Sequence, residues 1–284
     1  MNFLKTVFRI SAQNFRKWQT DYRIWTIAFF LIIMTLMYVD NIKKVAEVTG
    51  SGVPVWIFPF LYSQFYTKVL FTLPVVLMFC DAPFVDKNQL FVMMRTTRAK
   101  WICGQLLYII FASGLYYLFL FAISILSTIF YGDFSPEWGK TLTALAYSPT
   151  VAYEANVYNL TVSRMVVENF TPLLACFYTF ITSWLSAIFL GLVVFVCNLF
   201  TGSRIWGIVV CSFFIVLSIT ARQIRNVDRF SPISWSTLDR IDVGGLTTNP
   251  SIVYCLCAYA VLIMALAASV FIFGRKKSLD TKGD

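Results

Sequence analysis

Histidine is absent from the 284 residues. Its absence removes the commonest general base, proton shuttle and zinc ligand. It also excludes Ser–His and Cys–His nucleophile pairs. Charge is scarce as well. Asp, Glu, Lys and Arg make up 13% of the chain, about half the share of a soluble domain. No GxxxxGK[ST] stretch occurs, so the usual phosphate-cradling loop for ATP is missing. No pair of carboxylates sits inside an apolar run for aspartyl-protease chemistry. A Ser–Lys pair could be drawn only through Ser63 or Ser183 with Lys68, and nothing in the sequence places these together. The seven cysteines (Cys80, Cys103, Cys176, Cys197, Cys211, Cys255 and Cys257) fall within or beside apolar runs. They read as small buried hydrophobes, not as a disulfide framework.

What is present is apolar: 58% hydrophobic residues, 18% of all residues aromatic. Trp101 to Tyr131, Phe170 to Ser203 and Val243 to Gly274 carry no charge at all. A helix crosses a bilayer core with roughly 20 apolar residues. The sequence therefore predicts an all-α polytopic membrane protein with six transmembrane helices in a single transmembrane domain over 1–284. The spans fall at about 24–39, 58–80, 102–131, 172–200, 205–221 and 252–273. The fifth is the shortest case, squeezed between Arg204 and Arg222. A cleavable leader is not expected. The first 23 residues are polar and basic, and the run after them ends without a small-residue cleavage pattern.

Lys and Arg set the orientation, since they concentrate on the cytoplasmic side. One side collects Lys5, Arg9, Arg16, Lys17, Arg23, Lys87, Arg95, Arg98, Lys100, Arg204, Arg275, Lys276, Lys277 and Lys282, 14 in all. The other collects eight: Lys43, Lys44, Lys140, Arg164, Arg222, Arg225, Arg229 and Arg240. The expectation is a multi-pass protein of the cell membrane with both termini cytoplasmic and with 132–171 and 222–250 as extracellular loops. The net charge of +9 is then mostly a topology signal, and no nucleic-acid partner is needed to explain it.

Residues 1–20 form a further element. On a helical wheel Phe3, Leu4, Val7, Phe8, Phe15 and Trp18 share one face, and Lys5, Arg9 and Arg16 the opposite one. Such a basic amphipathic helix suits the headgroup plane of membrane lipid.

The segment 81–101, "DAPFVDKNQLFVMMRTTRAKW", is too polar to span. Asp86 is a candidate N-cap for a helix from Lys87 to Thr97. Within it Leu90, Phe91, Val92, Met93 and Met94 are consecutive, so apolar side chains go all the way round. One face can pack on the span ends. The other needs a cover, and a partner protein is the simplest one, rimmed by Arg95, Arg98 and Lys100.

This layout resembles the permease subunits of ABC-type exporters, and more narrowly the type-2 exporter permeases. The stretches that carry the likeness are "FCDAPFVDKNQLFVMMRTTRAKWICGQLLYI", Phe79 to Ile109, and "RFSPISWSTLD", Arg229 to Asp239. The resemblance implies that 81–101 is a cytoplasmic coupling loop whose helix seats on an ATP-binding cassette ATPase. Asp86, Lys87, Leu90, Phe91, Met93, Met94, Arg95 and Arg98 would carry that contact. It also implies a second permease half, as a homo- or heterodimer, and short re-entrant helices between spans five and six. Asn226 to Asn249 is placed for them, although Asp228, Arg229, Asp239, Arg240 and Asp242 argue against deep re-entry. The chain itself would hold no cofactor, with ATP and Mg on the ATPase, and would not be an enzyme. In simpler members the connection between spans three and four is short, whereas here it runs from Gly132 to about Thr171. Lys68, about 12 residues inside the second span, is the candidate translocation-pathway residue, because a charge at that depth is costly without a use; the alternative is a lysine that snorkels to the outer interface, helped by Tyr62, Gln64 and Tyr66.

The function implied is an ATP-driven exporter working by alternating access. The alternative is a secondary transporter or channel subunit without an ATPase. A membrane enzyme ranks third. The cargo is not legible.

Overall fold

The computed structural model describes residues 3–84, 96–129, 131–133, 135–158, 160–221, 223–224, 227–243 and 248–276. The fold is all-α, apart from one two-residue parallel pairing of β1 (Val53–Pro54) with β2 (Gly132–Asp133). Among the described residues four helices are long and apolar enough to cross a membrane: α2 (Tyr22–Thr49), α4 (Arg98–Thr128), α8 (Pro172–Thr201) and α10 (Ile252–Lys276). Two shorter apolar helices, α3 (Phe65–Phe79) and α9 (Arg204–Thr220), complete the bundle.

The middle of the bundle is α8. Small and hydroxylated residues (Ala175, Thr179, Ser183, Ser186, Ala187, Gly191) let its neighbours approach, as in membrane helix packing generally. Helices α3, α4, α9 and α10 all pack against it. By contrast α10 leaves Val253, Val261, Met264 and Ile272 outward, as a lipid-facing helix would.

Three of the expected boundaries move. Helix α2 starts where Asp21 accepts the Arg23 N–H at 3.0 Å, and ends at Gly50 with φ 62°. It runs ten residues beyond the expected end at Val39, through Asp40, Lys43, Lys44 and Glu47. Local partners support this polar extension: Lys44 pairs with Asp40 at 3.0 Å, and Lys43 sits 3.4 Å over the Tyr131 ring. The expected second span, 58–80, divides into a buried 3₁₀ turn, Phe58–Tyr62, followed by α3 with its 15 residues. At 1.5 Å per residue α3 alone reaches only about 22 Å, short of a bilayer core.

The excursion 132–171 is folded. It contains α5 (Gly139–Tyr147), α6 (Thr150–Glu154) and α7 (Arg164–Asn169). The extension of α2 supports it. Thr141 donates to the Gly52 carbonyl at 2.9 Å and lies 2.8 Å from Ser51 Oγ, and Trp138 donates to the Phe170 carbonyl at 2.9 Å.

The segment after α9 was expected as part of an extracellular loop, 222–250, with arguments for and against re-entry into the membrane. Residues 227–243 turn inward through three 3₁₀ turns, Val227–Phe230, Ser234–Ser236 and Leu238–Arg240. Ile233, Trp235, Leu238 and Ile241 are buried, and the turns pack on α8 and α7. The charges that argued against this are accommodated. Arg240 pairs with Asp228 at 3.4 Å, and Arg229 stays exposed and donates to the Thr248 carbonyl at 3.2 Å. Tyr259 of α10 donates to the Pro232 carbonyl at 2.5 Å, which anchors the segment from the other side.

Helix α1 (Phe3–Arg16) lies along α4. Its buried face is Thr6, Val7, Ile10, Ser11 and Asn14, not the whole apolar face of the wheel. Phe3, Leu4 and Phe8 stay exposed. Close approach decides this. A Cβ on Gly104 would stand 2.6 Å from Ile10 Cγ2, so only glycine lets the helices touch there. Asn14 Nδ2 then reaches Gln105 Oε1 at 2.7 Å and Trp18 Nε1 reaches the Tyr108 hydroxyl at 2.9 Å.

Candidate functional site

Seven of the residues picked from sequence for the coupling contact, Asp86, Lys87, Leu90, Phe91, Met93, Met94 and Arg95, lie outside the described residues. Arg98 is described; it is exposed and opens α4. What the structure does give is the root of that segment. Asp81, just past α3, spreads its carboxylate over two helix starts. One oxygen meets Arg23 of α2, and the other meets Arg204 of α9 at 3.0 Å. Beneath it Asn198 of α8, 4% exposed, uses both ends of its amide. Its Nδ2 donates to the carbonyls of Cys80 at 2.9 Å and Ala82 at 2.8 Å, while Oδ1 accepts the Gly207 N–H at 3.1 Å. A Cβ at Gly207 would fall 2.5 Å from that oxygen, so glycine is required for the contact. Four helices thus converge where the chain leaves α3. Sequence reasoning missed this cluster. Its only signals were one amide near the end of an uncharged run and one acid directly after a span.

At the opposite end of α3 lies Lys68. It is 9% exposed, and its ammonium points inward, with Nζ donating to Thr237 Oγ1 at 3.4 Å. The Thr237 hydroxyl donates its own proton to the Ser234 carbonyl at 2.7 Å, which leaves a lone pair for the lysine. Lys68 lines a cavity of about 300 Å³ between the start of α3, the end of α9 and the inward-turning segment. Tyr62, Ser218, Thr237, Asp239 and Arg240 share its wall. Sequence reasoning chose Lys68 for its depth and set Tyr62 near it, but not Ser218, Thr237, Asp239 and Arg240, which come from segments about 150 to 170 positions away.

A larger hollow, about 900 Å³, opens between α5 and α7. It is a shallow groove in which Glu168 is tied to Tyr147 and to the nearby Arg164. Glu168 Oε1 accepts from Arg164 Nε at 2.7 Å and from the Tyr147 hydroxyl at 2.9 Å. The Arg164 bond first and the Tyr147 bond second hold the Glu168 carboxyl below its usual range, and the bond to Glu168 pushes the Tyr147 phenol up against the opposing pull of Arg164. All three groups are exposed. The groove is larger than the Lys68 cavity, but it buries no charge.

Among the described residues no cluster of Cys, Asp or Glu has the makings of a metal site. No family model, characterised protein or solved structure matches the chain. The class that stands on the fold alone is a helical transmembrane protein.

Proposed function

We propose that this chain is the membrane-spanning half of an ATP-driven exporter, a type-2 permease subunit that works in the cell membrane with a separate ATP-binding cassette ATPase and a second permease half. The observation that carries this reading is the joint at Asp81 and Asn198. It ties the root of an unusually apolar polar-flanked segment to α2, α3, α8 and α9 together. A partner pushing on Leu90 to Met94 would move those helices as a body. That is what coupling of ATP closure to a change between inward-open and outward-open states requires. On this reading both termini and 81–101 are cytoplasmic, and α1 rests in the headgroups on the exposed Phe3, Leu4 and Phe8. Lys68 then faces the translocation pathway.

The test is co-purification. A tagged form of this chain is expressed with the ATPase encoded by a neighbouring reading frame that carries GxxxxGK[ST]. A stoichiometric complex whose ATP turnover depends on this chain supports the reading, and absence of such a complex removes it.

The cavity also favours a second reading. Lys68, Asp239 and Arg240 bring ionisable groups of both signs to one buried wall, as ion-coupled secondary transporters do. Transport that persists without any ATPase and follows a proton or ion gradient would select it.

A further inference from the structure

The exporter reading leaves the cargo open, and the cavity at Lys68 narrows it. We propose that this cavity binds a zwitterionic head group, a phosphate with a primary ammonium, carried on an apolar tail that leaves between α3 and α9. The proposal rests on the exporter reading only for the word cargo; the binding site stands on its own geometry.

Size comes first. At about 300 Å³ the cavity is at the bottom of the range for small-molecule pockets, roughly 300–1,000 Å³. It admits a head group and excludes a folded peptide or a large drug. Charge comes second. Lys68 and Arg240 contribute two positive charges. Asp239 on the wall and Asp228, paired with Arg240, contribute two negative ones. Among the described residues the set is formally neutral, so a ligand with net charge would leave an uncompensated charge in a poorly solvated place. A ligand with both signs can place phosphate at Lys68 and ammonium at Asp239 without unbalancing it.

Polar groups come third. Ser63, Ser218 and Thr237 are all buried, at 8%, 7% and 3% exposure, and Ser63 and Ser218 also line the cavity with Tyr62. Tyr62 is 1% exposed. It sits beside Tyr117, ring centroids 6.0 Å apart and near enough for the two hydroxyls to interact, yet the Tyr62 hydroxyl meets no partner within full hydrogen-bond geometry. Such a buried hydroxyl is costly unless something meets it. The apolar route comes last. Gln64 and Gln223 also line the cavity, Phe65 and Ile219 form its apolar side, and Tyr66 of α3 and Phe213 and Val216 of α9 are exposed along the bundle flank. An acyl chain lying there would touch membrane lipid along its length.

The experiment needs no ATPase, so its failure is separate from failure of the exporter reading. The purified full chain in a maltoside detergent is offered phosphatidylethanolamine and phosphatidylglycerol with identical acyl chains, and retained lipid is counted by native mass spectrometry. Glycerophosphoethanolamine, which has the head without the tail, is the third probe. Expected is retention of one phosphatidylethanolamine per chain in preference to phosphatidylglycerol. Lys68→Met and Asp239→Asn should each lower it about tenfold, the worth of one charge-assisted hydrogen bond. Ile219→Trp, which fills the cavity from the lipid side and touches no charge, should abolish it even if the charge variants fold poorly. Equal retention of the two lipids, or undiminished retention by Ile219→Trp, overturns the proposal. Binding of the tail-less head as tight as that of the lipid overturns the amphiphile and leaves a soluble zwitterion.

Discussion

Asn198 of α8 holds the end of α3 through its side-chain amide, which donates to the Cys80 carbonyl at 2.9 Å. The same nitrogen serves the Ala82 carbonyl, and the amide oxygen serves Gly207 on α9. Asn198→Leu would strand two carbonyls and one N–H, all near the bundle interior. Leaving one buried polar group unmet costs about 1–3 kcal/mol in water-soluble folds, while membrane interhelical bonds average nearer about 0.6. We expect a loss of about 2–3 kcal/mol for Asn198→Leu, read from unfolding in mixed micelles. Asn198→Asp, which keeps the acceptor and loses both donors, should cost nearly as much. A midpoint unchanged in both variants would mean that the joint does not hold the helices.

Topology is tested with single cysteines in a background without the seven native ones. The structure selects the positions. Thr97, next to Arg98, is exposed, and so are Tyr153 and Tyr158 in the excursion. Gly132 is unsuitable, because a Cβ there meets the Thr128 carbonyl oxygen at 2.8 Å. An impermeant thiol reagent applied to intact cells should label Tyr153→Cys and Tyr158→Cys and spare Thr97→Cys. The reverse pattern would invert the protein in the membrane.

The long apolar helices were legible in the sequence because their signal is local: 16 or more uncharged residues in a row leave few alternatives. The end of α2 was not. Asp40, Lys43, Lys44 and Glu47 read as a loop by charge, and only the folded excursion they support explains why the helix continues. The inward turn of 227–243 was doubted for its charges for the same reason. Pairing of Asp228 with Arg240 is a tertiary fact, and no spacing rule announces it. Lys68 stood out as a lone charge in an apolar run. Tyr62 was close enough in sequence to be considered beside it, but Thr237 and Asp239 did not stand out, since polar residues in connecting segments are ordinary until the fold brings them to one wall.

Leu90→Asp and Met94→Asp test the coupling contact. Each places a carboxylate in a contact argued to be apolar, at a cost on the order of 3–5 kcal/mol if the charge is left buried and unpaired. The chain should still insert, because neither position is in a span. Co-purified ATPase and ATP turnover in the reconstituted complex should both fall to background. Wild-type levels of both would place the contact elsewhere.

Glu168 gives a prediction in pH. Its carboxyl is held low by Arg164 first and by Tyr147 second. An acid depressed in the folded state contributes its tie above its unfolded value and loses it as pH falls through the folded one. The link between α5 and α7 should therefore survive mild acidity and open only below the ordinary glutamate range. Arg164→Ala should raise the Glu168 titration, followed by carboxyl NMR shifts, more than Tyr147→Phe does. Since the group is exposed, global stability should hardly change. A titration that neither variant moves would show that the tie is not formed in solution.

Lys68 decides whether the cavity is kept for use or for stability. Its ammonium is buried against Thr237 and does not reach outward along the bundle. A lysine at mid-membrane depth costs about 2.5–3.5 kcal/mol on insertion scales. Replacing a buried charge pair with uncharged side chains of similar volume is often neutral or stabilising, whereas removing one member alone leaves the other uncompensated. Lys68→Met combined with Asp239→Asn, which removes one charge of each sign from the wall, should therefore insert at least as well as wild type and unfold no earlier. Function should move the other way, with transport by the ATPase complex or substrate-stimulated ATP turnover falling at matched protein levels. Lys68→Glu should be worse on both counts, because it adds a carboxylate to a wall that already holds Asp239. Opposite signs for stability and transport identify a residue retained for work, the usual trade-off at a functional site. A Lys68→Met protein that transports normally would reduce the lysine to an anchor for the inward-turning segment. A double variant that loses stability and transport together would give it a purely structural role through Thr237.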